Sequence, residues 1–139
     1  MNTVNPYLVV ESVHELIVFT QQIFNATLRT KLDRPNGQIM HAELVIGDSV
    51  IMAGEPMKNN GVFPCSLFIY VEDCDDVYKK AIDYGCSSIM EPTTMKHAGE
   101  RYGGIVDKNR NIWWIATHVE DVEPDEQIRR IQEMKQHWI

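Results

Sequence analysis

Gln38-Ile39-Met40-His41-Ala42-Glu43-Leu44-Val45-Ile46-Gly47-Asp48-Ser49-Val50-Ile51-Met52-Ala53-Gly54 decides the fold. Apolar residues alternate along Ile39–Ile46 and resume at Val50–Ala53, with Gly47-Asp48-Ser49 between them, which is the pattern of a β-hairpin. Upstream, Tyr7-Leu8-Val9-Val10 reads as a strand, followed by Val13, Leu16, Ile17, Thr20 and Phe24 at helical spacing with Ser12 as N-cap. Leu28–Leu32 reads as a strand closed by the turn Arg34-Pro35-Asn36-Gly37. The same plan then recurs. Leu67–Val71 is a strand and Asp73 caps a helix bearing Cys74, Val77, Tyr78 and Ala81. Ser88–Met90 is a short strand before Pro92, and Tyr102–Val106 with Ile112–Thr117 forms the second hairpin.

The linker Glu55–Pro64, rich in Pro, Gly and Asn, separates two βαβββ modules, residues 5–55 and 65–121, within one domain spanning 1–121. Residues 122–139 add a C-terminal helix that starts at Pro124 and carries the stripe Ile128, Ile131, Met134 and Trp138. That stripe is expected to pack on the body of its own chain, or alternatively on a second subunit.

Composition narrows the function classes. With 139 residues, 44% hydrophobic and 24% charged, the chain has the make-up of one globular domain. A net charge of -7 argues against nucleic-acid binding, which requires a basic stripe. No apolar run reaches the roughly 20 residues of a membrane-spanning helix. Cys65, Cys74 and Cys86 fit neither a disulfide framework nor a zinc motif and are read as free thiols of a cytoplasmic protein. The glycosylation acceptor Asn25-Ala26-Thr27 carries no weight, since no signal peptide is recognisable.

Alternation sorts the strand residues onto faces. Met40, Ala42, Leu44 and Ile46 oppose Ile39, His41, Glu43 and Val45. Leu67, Ile69 and Val71 oppose Ser66, Phe68 and Tyr70, while Trp113, Ile115 and Thr117 oppose Ile112, Trp114, Ala116 and His118. One face is aliphatic and suits helix cover. The other mixes aromatics with a few ionisable groups, as small-molecule cavities do.

The segments Met40–Ser49, Tyr70-Val71-Glu72-Asp73-Cys74-Asp75, Glu91-Pro92, Gly99–Gly104 and Trp114–Asp121 resemble the vicinal oxygen chelate superfamily of glyoxalase I, bleomycin-resistance proteins and extradiol dioxygenases. The nearest branch by resemblance is the PhnB-like glyoxalase-related proteins. The resemblance implies an α+β fold, with two βαβββ modules forming a cupped mixed sheet, helices on its outer face, and usually a homodimer. Metal-dependent members draw ligands from the first and last strands of each module. Those positions fall here on Asn5, Met52, Ser66 and Trp114, a poor donor set for a divalent metal. No cofactor is therefore expected. Two departures stand out: Asp107-Lys108-Asn109-Arg110-Asn111 replaces the family's Asp-Pro-x-Gly-Asn, with Asn109 or Asn111 expected in the left-handed position, and Ala98 replaces a frequent Trp.

His41-x-Glu43 with Pro64-Cys65 is no zinc deaminase, because the second thiolate position is Phe68. His41, Glu43 and His118 could alternatively hold an unconventional metal, or His41 and Glu43 could act as a general base and its orienting partner. Tyr7, Met52, Phe68, Tyr70, Trp114 and His118 are candidates to line a ligand cavity, and Arg101 to take a ligand carboxylate or phosphate. The resulting expectation is a metal-independent protein binding a small organic molecule, with a lyase- or isomerase-like enzyme using Glu43 and His41 as the alternative.

Overall fold

A computed structural model describes residues 2–134. The first module contains β1 (Tyr7–Val9), α1 (Val13–Phe24), β2 (Thr27–Asp33), β3 (Ile39–Ile46) and β4 (Ser49–Gly54). The second contains β5 (Ser66–Tyr70), α2 (Cys74–Tyr84), β6 (Ser87–Met95), β7 (Glu100–Val106) and β8 (Ile112–His118), and α3 (Pro124–Met134) follows. Each module builds one four-stranded mixed sheet, in the orders β1-β4-β3-β2 and β5-β8-β7-β6. The identical order is the structural form of the sequence repeat.

Local chemistry starts both module helices as the sequence suggests. Ser12 Oγ accepts from the Glu15 amide at 3.1 Å, and Asp73 Oδ1 accepts from the Asp76 amide at 3.2 Å. The helices end on residues of positive φ, Asn25 and Gly85. Leu8, Ala42, Leu44, Ile51 and Ala53 of the first sheet bury against α1, and Ile105, Trp113 and Ile115 form the second sheet's share of the core.

Trp113 joins the modules. It is 1% exposed and packs on Phe24 (4.8 Å between centroids) and Phe19 (5.8 Å) of α1. Burying a side chain of this size is worth about 3 kcal/mol. Beside it, Asp107 accepts from the amides of Asn109 and Asn111, from Asn111 Nδ2 and from Trp113 Nε1, all within 2.8–3.0 Å. Asn109 in turn bonds both backbone groups of Ser12, and Asn111 Oδ1 accepts from the Cys65 amide.

The structure corrects four expectations. The left-handed turn residue is Arg110 (φ 69°), leaving Asn109 and Asn111 buried as this polar clamp. A register shift opposite Leu32 and Asp33 skips Met40, turning Ile39 into the core (6% exposed) and Met40 outward (44%). Strand β6 runs on through Pro92, which is tolerated because β6 is an edge strand and its register slips between Met90 and Thr93. Finally, α3 buries no residue: Ile128 and Ile131 are 55% and 40% exposed, and its tie to the body is Arg130 on Glu120 and the Lys96 carbonyl. Trp138 of the stripe lies outside the described residues.

Candidate ligand-binding face

The sheet faces turned away from α1 and α2 hold most of the candidate residues, in two groups. On the first sheet, pairing aligns Tyr7 with Met52 and Met52 with Glu43, so the three share one face. His41 lies two residues from Glu43, and its Nε2 is 2.9 Å from Glu43 Oε2. Tyr7 stacks on the imidazole (5.7 Å, 28°), and its hydroxyl is 3.4 Å from His41 Nδ1. Arg29 donates to Glu43 Oε1 through Nε at 2.9 Å and through Nη2 at 2.5 Å. The line Tyr7–His41–Glu43–Arg29 therefore crosses the sheet from β1 to β2.

Hydrogen bonds from His41 and then Arg29 hold the Glu43 carboxyl below its ordinary 4.5. In the tautomer that donates Nε2–H to an ionised Glu43, Nδ1 is left as an acceptor facing the Tyr7 hydroxyl, which lies equally 3.4 Å from the Met40 carbonyl. Glu43 is thus a poor proton acceptor in itself, and its chemical capacity is to orient His41.

On the second sheet, Phe68 pairs with Trp114 and Trp114 with Gly104, while Tyr70 pairs with Ala116 and Ala116 with Tyr102. Phe68 meets Tyr70 at 5.4 Å and Tyr102 at 5.3 Å between centroids, and Tyr102 meets Trp114 at 6.1 Å. Trp114 Nε1 donates to Ser66 Oγ at 3.1 Å. The indole lies so close over Gly104 that a Cβ there would stand 2.6 Å from the ring. Trp114 is therefore held flat against the sheet by the missing side chain beneath it and the hydroxyl beside it. Phe68 and Tyr70 remain 48% and 61% exposed. At the rim, Glu100 Oε1 accepts from the Tyr70 hydroxyl at 3.1 Å and lies 3.3 Å from His118 Nδ1. His118 Nε2 is 2.7 Å from Asp121, and these two carboxylates raise the His118 pKa above 6.5.

The candidates do not converge on one cavity. Phe68 and Tyr70 line a hollow of about 550 Å³ with Val4, Pro6 and Val50, whereas Tyr7 lines a separate depression. Arg101 does not join either group. It pairs with Thr117, one residue out of step with Tyr102, and so projects to the α2 side, where it grips Asp75 through Nε and Nη2 (3.0 and 3.1 Å). Tyr102, Gly104, Arg29 and Glu100 belong to the two groups but were not singled out from sequence. Alternation along Arg101–Val106 carries the signal for Tyr102 and Gly104. Arg29 follows a register shift that sequence does not announce.

The four positions that the resemblance assigns to metal ligands, Asn5, Met52, Ser66 and Trp114, carry poor donors for a divalent metal. Met52 offers a thioether and Trp114 an indole N–H that donates only. The Ser66 hydroxyl is engaged by Trp114, and the Asn5 amide donates to the Asn2 carbonyl. Among the described residues, no three His, Cys, Asp or Glu side chains gather closely enough to hold an ion. Burial raises the pKa of Cys65 and pushes Cys86 up to about 12, so neither presents a thiolate at neutral pH.

No protein-family model matches the chain. An uncharacterized protein of Mycobacterium bovis is 24% identical over 133 residues, covering 88% of this chain and 87% of its own. Among solved structures, the PhnB protein from Bacillus cereus superposes with a TM-score of 0.69 at 17% identity, covering 84% of this chain and 99% of its own. The fosfomycin resistance protein FosX from Listeria monocytogenes gives 0.63 at 15%, with 91% and 98% covered. A glyoxalase I variant from Zea mays gives 0.68 at 16%, with 86% of this chain matching 46% of that longer one. Likeness at these identities is a likeness of fold alone, and it agrees with the fold that the resemblance to the vicinal oxygen chelate superfamily implies.

Proposed function

We propose that this chain is a PhnB-like member of that superfamily which binds a small organic molecule without the superfamily's metal. The observation that carries this reading is Trp114. At a position where metal-dependent relatives place a ligand, it offers a flat indole, fixed by Ser66 and Gly104 and flanked by Phe68 and Tyr102. A preorganised aromatic surface suits a planar or apolar ligand, because little side-chain entropy is lost on stacking. The reading extends to a cytoplasmic homodimer, in which a second copy of the chain helps cover the exposed aromatic face.

The test is a thermal-shift screen of planar metabolites and antibiotics, followed by titration calorimetry and recovery of the ligand. A hit should bind the intact protein, lose at least tenfold in affinity in Trp114→Ala, and be recovered unchanged. Loss of one stacking surface at about 1.4 kcal/mol, the upper end for an aromatic pair, corresponds to tenfold. A ligand indifferent to Trp114→Ala would sink the reading, and light scattering that finds only a 16.0 kDa species would remove the dimer.

A second reading rests on the Tyr7–His41–Glu43 line, which has the connectivity of a base and its orienting carboxylate. In that enzyme His41 would take the proton and Glu43 would fix the tautomer, as in a lyase- or isomerase-like enolisation. Conversion of a bound hit, abolished in His41→Ala, would favour this reading over sequestration.

A further inference from the structure

Arg34 closes the β2–β3 turn, and its guanidinium reaches back across the chain to the start of the inter-module linker. Nη1 donates to the Glu55 carbonyl at 3.2 Å and lies 3.5 Å from Gln38 Oε1, both neutral acceptors. No carboxylate among the described residues forms an ion pair with it. Glu55 is the one acid lining the same depression; its Oε1 and Oε2 accept from the Ile39 and Val13 amides, each at 2.9 Å, and Arg34 meets it at the backbone carbonyl rather than the carboxylate. A half-buried guanidinium with unspent donors thus faces a depression of about 500 Å³ and is ion-paired to none of the described carboxylates that line it.

The rest of the depression is apolar and partly rigid. Tyr7, Met40, Met57 and Phe63 line it, and all four are substantially exposed, Phe63 at 67%. Phe63 is fixed through its backbone, which exchanges hydrogen bonds with Val9 of β1 at 2.8 and 3.2 Å. Met40 and Met57 are side chains that adapt to a ligand's shape. Four exposed large apolar groups around one hollow, beside an unpaired cation, specify a partner with an apolar body and one negative end.

We propose that this depression is a second ligand site, separate from the Trp114 face, and that it takes a small apolar carboxylate with Arg34 as the seat of the anion. Arg34 thereby fills the role that the sequence had suggested for Arg101.

The test uses the full chain, amide-resolved NMR, and two matched probes, 2-naphthoate and its neutral amide 2-naphthamide. Naphthoate should shift the signals of Met57, Asn60 and Phe63 and the Arg34 Nε resonance. Naphthamide should bind at least tenfold more weakly, and Arg34→Gln should bring naphthoate down to the amide's level. Phe63→Ala should weaken both probes, and Trp114→Ala should leave both unchanged, which separates this site from the one proposed above. The proposal is overturned if acid and amide bind equally, if Arg34→Gln retains naphthoate binding, or if naphthoate shifts only signals on the Trp114 face. It is equally overturned if protein concentration alone shifts the Met57–Phe63 signals, since a second copy of the chain would then be the occupant.

Discussion

At the scale of single residues, the site chemistry is set by which charges are already spent. Glu43 and Arg101 both looked available in the sequence, and each is committed, to Arg29 with His41 and to Asp75 respectively. Arg101 could have been excluded by alternation alone, since its neighbour Tyr102 shares the face of Trp114. The His41–Glu43 pairing was legible in the sequence, but the bond from Arg29 was not, because Arg29 sits at a register shift between Leu28 and Thr30. His118 supports a pH prediction. Its folded pKa is raised above 6.5 by Asp121 and then Glu100. Protonation therefore stabilises the fold, fully below the unfolded value and progressively less as pH climbs through the raised folded value. His118→Gln should lower the thermal midpoint by a small margin at pH 5.5 and hardly at all at pH 9, small because the pair is largely solvated. An equal loss at both pH values would show that the imidazolium contributes nothing.

At the scale of elements, strands and helices were legible wherever pattern and caps agreed. Ser12 and Asp73 start the helices as read, and the hairpin about Gly47-Asp48-Ser49 is present. What escaped the sequence were features that binary pattern does not encode: the shift that turns Ile39 inward, the passage of β6 through Pro92, and the clamp in the β7–β8 turn. That clamp has the largest predicted stability effect. Asp107 is 6% exposed and accepts four hydrogen bonds that tie the turn to Trp113 and, through Asn109 and Asn111, to the first module and the linker. Asp107→Ala strands several buried donors at once and should cost about 4 kcal/mol in urea unfolding. A loss below about 1 kcal/mol would mean that water replaces the carboxylate and that the modules are held by Trp113 alone.

At the scale of the whole molecule, the repeated βαβββ plan was the part of the sequence that spoke most plainly, because it needs only order and periodicity. The site was less legible. Its residues sit on two sheets, and whether they share one cavity depends on how the modules sit together, which no local pattern states. The amphipathic stripe of α3 is a case of the same kind: Ile128 and Ile131 are apolar at helical spacing yet remain exposed. Under the proposed reading, fold and metal chemistry also separate at this scale. The fold is shared with glyoxalase I and FosX, while Met52 and Trp114, at positions the resemblance assigns to metal ligands, offer only a thioether and a donor N–H. The central claim is metal-independent binding on the Trp114 face. It is tested most directly by titrating a confirmed ligand, by calorimetry, into protein purified without chelators and into the same protein after exhaustive EDTA treatment. Metal-independent binding predicts equal affinity and unit stoichiometry in both samples. Affinity lost on chelation and restored by one equivalent of a divalent ion would contradict it.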